Sequence, residues 1–282
     1  MIKFFANIFG YLLNFIYGLV SNYGVAIIIF TVILKLLMLP ISVKQQKTMK
    51  KSAKMQVKMR EIQEKYANDQ VRQSQELMDL YKKEKMSPFS GCLSSILQMI
   101  IVLAMFYLVS QPLTYMKNID STVIDSYANQ ITEESGEALR YREISIIKEM
   151  ADKDENVNIN MNFLGLDLSD IPTQDYKNWK VYIIPGLYVL TSLVSMKLTT
   201  KLNNTSKDKM AETKTSDENS ENKELDAMEE MNKQMIMMMP IMTVMIALVA
   251  PLGLALYWLV SNLIMIGERI LLNKVFKEEV EE

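Results

Sequence analysis

The sequence predicts an all-α integral membrane protein: five transmembrane helices, N-out/C-in, with a cytoplasmic helical hairpin and an N-terminal interfacial helix. Three observations predict it. Hydrophobic residues make up 49 % of the 282, and they are gathered into nearly uncharged runs such as 25–38 and 96–109. Each run is long enough, since roughly 20 helical residues at about 1.5 Å per residue cross a hydrocarbon core of about 30 Å. Backbone groups in lipid must bond within their own segment, which leaves helices as the crossing elements of such a chain. Finally, the charges are sorted by segment, so the positive-inside rule gives each loop a side.

Residues 1–22 are expected to form an amphipathic helix in the membrane interface. Lys3, Asn7, Gly10, Asn14, Gly18 and Ser21 recur on one face, with Phe5, Ile8, Leu12, Phe15, Ile16 and Leu19 on the other. A signal peptide or short signal anchor is the competing reading, but no small-x-small cleavage site follows. The first span, 23–43, ends near Pro40 and meets Lys44, Lys47, Lys50, Lys51, Lys54, Lys58 and Arg60 before the first acid, Glu61. That end is therefore cytoplasmic. Residues 44–87 are polar with helical periodicity, a stripe of Met55, Met59, Ile62 and Tyr66 facing another of Val71, Met78 and Tyr81 across a turn at 67–69. This reads as a cytoplasmic helical hairpin.

The second span is 88–111. Residues 112–180 form an external, acidic loop with an amphipathic helix expected around 133–151, and Trp179 and Tyr182 mark the interface where the third span, 181–198, begins. A cytoplasmic connector at 199–234, rich in Lys, Glu, Asn and Ser, has the composition of a disordered segment around 203–222. The fourth and fifth spans, 235–250 and 253–272, are joined by a tight turn at Pro251-Leu252-Gly253, and 273–282 is a cytoplasmic tail.

Composition excludes several functions. The chain has no histidine and one cysteine, Cys92, which removes the usual general base, the usual zinc ligand and any intramolecular disulfide. No His-Glu-x-x-His, no Gly-x-Ser-x-Gly and no aspartate inside a span is present. Neither an enzyme, a metal nor a cofactor is expected, and DNA is not an expected partner.

The most informative residue is Lys35, a lone base inside an apolar span, where a cation costs about 2.5–3.5 kcal/mol to insert. It continues a stripe with Gly24, Ile28, Thr31, Met38 and Ser42 at spacings of three and four. That face should point at protein or water rather than lipid, with snorkelling toward the cytoplasmic interface as the competing reading. Other spans carry polar groups at matching depth: Gln98 in the second; Thr191, Ser192 and Ser195 in the third; Ser261, Asn262 and Glu268 in the fifth. Singly, the hydroxyls read as packing glue between helices. Together these residues describe a polar cavity in the cytoplasmic half of the bundle, closed by apolar side chains in the outer half.

Four stretches carry a resemblance. Gly24-Val-Ala-Ile-Ile-Ile through Lys35-Leu-Leu-Met-Leu-Pro40 and Lys44-Gln-Gln resembles the first core span of the YidC/Oxa/Alb membrane protein insertases. The run from Ser87 to Met99, the segment Asn162-Phe-Leu-Gly-Leu-Asp-Leu, and Pro251-Leu-Gly-Leu-Ala-Leu-Tyr-Trp-Leu-Val-Ser-Asn262 are similar to later parts of that family, in the same order. The resemblance implies a chaperone and insertase in the bacterial cell membrane, whose groove, open to cytoplasm and lipid, receives the polar part of a nascent membrane protein. It places the groove's cation on Lys35, its glutamine on Gln98 and an aromatic on Trp258. Nascent membrane proteins and the lipid bilayer are the implied partners, with a Sec translocon and the ribosome left open. Lysine stands where the family commonly has arginine, and Glu268 where a glutamine is common. An ion- or proton-coupled transporter using Lys35 and Glu268 is the alternative, with an inert membrane assembly factor behind it.

Overall fold

The computed structural model describes residues 2–66, 69–84, 90–136, 138–211 and 242–281. The expected turn at Ala67-Asn68, the start of the second span at Ser87-Pro88, and most of the connector and of the fourth span's first half lie outside them. The protein is mostly helical, and four helices are long and apolar enough to cross a membrane: Ile2–Val20, Tyr23–Thr48, Trp179–Leu198 and Leu252–Asn273. A shorter apolar helical stretch covers Ile96–Ser110. Three of the four coincide with expected spans. Ile2–Val20 joins them, and the segment 242–249 is the helical part of the expected fourth span that is described.

The elements in chain order are α1 (Ile2–Val20), α2 (Tyr23–Lys65), α3 (Gln70–Lys83), α4 (Ser90–Ser110), α5 (Pro112–Tyr115), α6 (Ser121–Ser135) and α7 (Arg142–Met150). A two-stranded hairpin follows, β1 (Asn162–Phe163) and β2 (Leu166–Asp167), then a 3-10 turn at Trp179–Tyr182, α8 (Ile183–Ala211), α9 (242–249) and α10 (Leu252–Glu281). The chain divides into two compact units. One comprises Met1–Leu37, Gln98–Leu193 and Ile241–Glu282; the other comprises Met38–Leu97 and Val194–Pro240.

In the first unit α1 packs on α2 through Phe9 and Phe30, edge to face with ring centroids 5.6 Å apart. Its buried face is Ala6, Phe9, Gly10, Leu13 and Ile16, whereas Phe4, Ile8, Tyr11, Phe15 and Leu19 are exposed. The division of this helix into a polar and an apolar face is thus not the division between inside and outside. Gly10, counted with the polar face, is buried because a Cβ there would lie 1.8 Å from the Tyr115 carbonyl oxygen of α5. Only glycine permits that approach. Gly253 marks a second close approach, at the start of α10: a Cβ would meet Val109 of α4 at 3.2 Å and Tyr23 of α2 at 3.4 Å.

The segment 112–180 is built, and it clasps both helix elbows. At the α1–α2 elbow, where Ser21 takes a left-handed φ of 51°, the Tyr23 N–H donates to the Asn160 carbonyl (3.0 Å) and the Asn22 side chain to the Asn162 carbonyl (2.7 Å). At the α9–α10 elbow the Leu252 and Gly253 N–H groups donate to the Asp170 and Leu168 carbonyls, both at 3.0 Å, and Thr173 N–H donates to the Leu248 carbonyl at 3.1 Å. The first N–H groups of a helix have no partner of their own, and here the loop supplies it.

The helix expected around 133–151 is two helices. Gly136, at φ 70°, ends α6 in the left-handed conformation with its N–H on the Thr132 carbonyl, a common glycine stop; α7 starts afresh at Arg142. Glu143 of α7 is buried and accepts from the Thr114 N–H (2.9 Å) and hydroxyl (2.5 Å). Burial pushes its carboxyl above the usual carboxylate range, against the pull of the Thr114 hydrogen bonds. A raised folded pKa means that the protonated form is favoured in the fold. The contribution is present below the ordinary carboxylate pKa and is lost as pH rises through it toward the folded value. Thermal unfolding in detergent should therefore show wild type losing stability across that window more steeply than Glu143→Gln, which keeps an acceptor for Thr114 and cannot titrate.

In the second unit the basic continuation of α2 meets α3. Asp69 caps α3 by accepting from the Arg72 N–H (3.0 Å). The Tyr81 hydroxyl reaches the Met59 sulfur at 3.7 Å, and Lys58 pairs with Glu84 at 2.6 Å. Met55 is buried, but Val71 and Met78 of the second apolar stripe are exposed.

Candidate groove residues on four helices

Lys35 sits in the apolar part of α2 with its side chain half-buried. The charges whose fields reach its ammonium are Glu268 and Arg269 of α10. Among the described residues Lys35 and Glu268 form no direct ion pair, and the Glu268 Oε1 atom is buried without a hydrogen-bond partner. The two helices therefore bring a cation and a carboxylate near each other inside an apolar set of spans without letting them neutralise each other by contact.

The other residues fall into three groups. Asn262 of α10 is buried and donates through Nδ2 to the Thr191 hydroxyl of α8 at 3.1 Å; Thr191 in turn donates to the Tyr188 carbonyl at 3.0 Å. These two form a polar bridge between α8 and α10. Trp258 is 8 % exposed and packs on Tyr188 with ring centroids 6.1 Å apart, so it belongs to the same α8–α10 seam. Thr31 is fully buried, and its hydroxyl is spent on the Ile27 carbonyl of its own helix at 2.6 Å. Ser192 is half-buried and Ser195 buried on α8, and Gln98 is exposed on α4 with no hydrogen bond to Lys35 among the described residues.

Sequence reasoning missed Tyr188, the ring against Trp258. Its signal was present in the spacing, for Tyr188 stands three residues before Thr191 and shares its face. Asn262→Leu should cost about 0.6–1.7 kcal/mol, the range of interhelical hydrogen bonds in membranes. That cost is measurable as a lower unfolding temperature in detergent, and Thr191→Val should lose no more when added to it.

The model of the 60Kd inner membrane protein family matches residues 15–279. The chain belongs to that family. Its YidC/Oxa1 membership agrees with curated relatives named membrane protein insertase YidC. The protein of Syntrophus aciditrophicus strain SB is 47 % identical over 94 residues, 33 % of this chain and 17 % of the relative. That of Wigglesworthia glossinidia brevipalpis is 44 % identical over 99 residues, 35 % and 18 %. That of Haemophilus influenzae strain PittEE is 43 % identical over 104 residues, 37 % and 19 %. The matched stretches thus span less than a fifth of each relative's length. Family membership and the apolar helices make this member a multi-pass protein of the bacterial plasma membrane.

Proposed function

We propose that this YidC/Oxa1 family member is a membrane protein insertase and chaperone. In this reading five spans with the N-terminus outside and the C-terminus in the cytoplasm enclose a polar groove, and the groove receives the hydrophilic part of a nascent membrane protein while its apolar part enters lipid. The observation that carries it is the half-buried Lys35 within the field of Glu268, whose Oε1 is buried without a hydrogen-bond partner, on spanning helices. An ionisable residue at membrane depth is expensive and marks a path for something polar. A cation in a poorly screened site attracts acidic groups that must cross. The relatives' printed name, membrane protein insertase, points the same way.

The groove residues are Lys35, Thr31, Gln98, Ser192, Ser195, Asn262 and Glu268, with Trp258 packing its wall. Work of this kind is positioning and partial desolvation, with no bond made or broken, so the protein acts as a non-enzyme. Nascent membrane proteins and bilayer lipid are its partners, and a Sec translocon and the ribosome are further partners to test by co-purification. A photo-crosslinker at position 98 should capture a stalled nascent membrane protein and spare a stalled soluble one. Equal capture of both, or of neither, removes the groove from this face of α4.

A further inference from the structure

The β1–β2 hairpin turns through Leu164 and Gly165, both left-handed, at φ 53° and 77°. Asn-Gly is the favoured pair for such a turn, because a side chain in the left-handed region crowds the following carbonyl. Leucine there carries a backbone penalty that glycine does not. Its side chain is also 87 % exposed. Strain and apolar exposure at one residue are both unfavourable in water, but the second reverses sign if the tip meets hydrocarbon.

The surroundings of the tip say what it meets. Behind Leu164 lies an apolar cavity of about 390 Å³, lined by Phe163, Leu166, Ile183, Leu187, Leu256 and Leu259. Trp179, 70 % exposed, and Lys180 line it as well, an aromatic and a base as found where spans meet headgroups. The nearby carboxylates are engaged: Asp167 by the Ser169 hydroxyl (2.6 Å), Asp170 and Asp175 by Lys148 (2.8 and 3.4 Å). Lys177 and Lys180 are exposed, and among the described residues the ion pairs of this loop run from Lys148 instead. The charges around the cleft balance, and Lys180 is the exposed base at its mouth.

We propose that this cleft holds a phospholipid of the leaflet that faces segment 112–180. Its acyl chain lies among the β-hairpin, α8 and α10, and its phosphate lies on Lys180. The occupant is a phospholipid because that ligand class places a long apolar chain and an anion at the depth of an aromatic rim. The inference rests on membrane placement and not on insertase activity, so its test leaves that activity aside.

The chain has two tryptophans, and Trp258→Phe leaves Trp179 as the reporter. In vesicles of phosphatidylglycerol brominated on its acyl chains, Trp179 emission should be strongly quenched relative to unbrominated vesicles. Leu164→Asn, which supplies a residue that the turn favours, should lose most of that quenching. Native mass spectrometry of the chain with both tryptophans retained gives a second measurement. Lys180→Glu should retain phosphatidylglycerol about fivefold less well, the effect of the ~1 kcal/mol that one basic residue contributes near anionic lipid. Equal emission in the two kinds of vesicle, or equal lipid retention by wild type and Lys180→Glu, would overturn the proposal. So would recovery of emission on adding a client's apolar helix with lipid retention unchanged, which would assign the cleft to the client.

Discussion

Lys35→Ala and Lys35→Glu will lower insertion of clients with acidic tails by about tenfold or more, whereas Lys35→Arg will retain it. A unit charge pair at 4 Å is worth ~4 kcal/mol at an effective dielectric of about 20. Loss of about a third of that is already tenfold. Arginine keeps the charge and adds a planar fork, so charge rather than shape is what the comparison reads. The field of Glu268 at Lys35 sharpens the expectation. If the carboxylate partly masks the cation at rest, Glu268→Gln should raise insertion of acidic clients and leave neutral ones unchanged. Insertion is measured as protease protection of the translocated tail in vesicles. Equal performance of all four Lys35 forms would take the mechanism away from this residue.

Deleting 50–84 and bridging the gap with a short linker will leave a chain that accumulates in the membrane but inserts clients poorly. Among the described residues the hairpin's ion pairs Lys58–Glu84, Arg72–Asp69 and Lys82–Asp79 are exposed, beside a part-buried Tyr81–Met59 contact. Exposed ion pairs contribute about 0–1 kcal/mol, so the deletion removes little stability. What it removes is an apolar stripe with Val71 and Met78 uncovered, a surface suited to an arriving apolar segment. Pulse-labelling with a carbonate wash checks accumulation, and the same protection assay checks activity. Loss of the protein itself would make the hairpin a structural element.

The spans were legible because burial in lipid writes itself on composition. A run such as 25–38 has one physical reading, and a lone Lys35 within it stands out for the same reason. Sidedness and the number of crossings rest on loop charge, a weaker signal, and Ile2–Val20 shows why. Its length and hydropathy suit a span, while its glycines and asparagines imitate a polar face. At Gly10 the glycine answers to the Tyr115 carbonyl rather than to water. Within the site, spacing brought out Asn262 and Thr191, but it could not tell that Thr31 spends its hydroxyl on its own helix or that Trp258 faces Tyr188. Rotamers and neighbours decide those, and periodicity does not encode them. The loop 160–173 was the least legible part. Most of its bonds to the elbows run backbone to backbone, and any residue but proline can donate one.

Those bonds have a consequence for how the chain is made. The carbonyls of Leu168 and Asp170 accept from the N–H groups of Gly253 and Leu252, about eighty residues further along. A ribosome releases those donors late, and a chain cut short before Pro251 carries the loop with its last partners missing. Unmet carbonyls and an unclasped elbow mark such a fragment as unfinished at the surface, where a membrane protease can reach it. The clasp thus makes completion of the final helix a condition for a protease-resistant exterior, and truncated copies are expected to be short-lived where full-length ones persist.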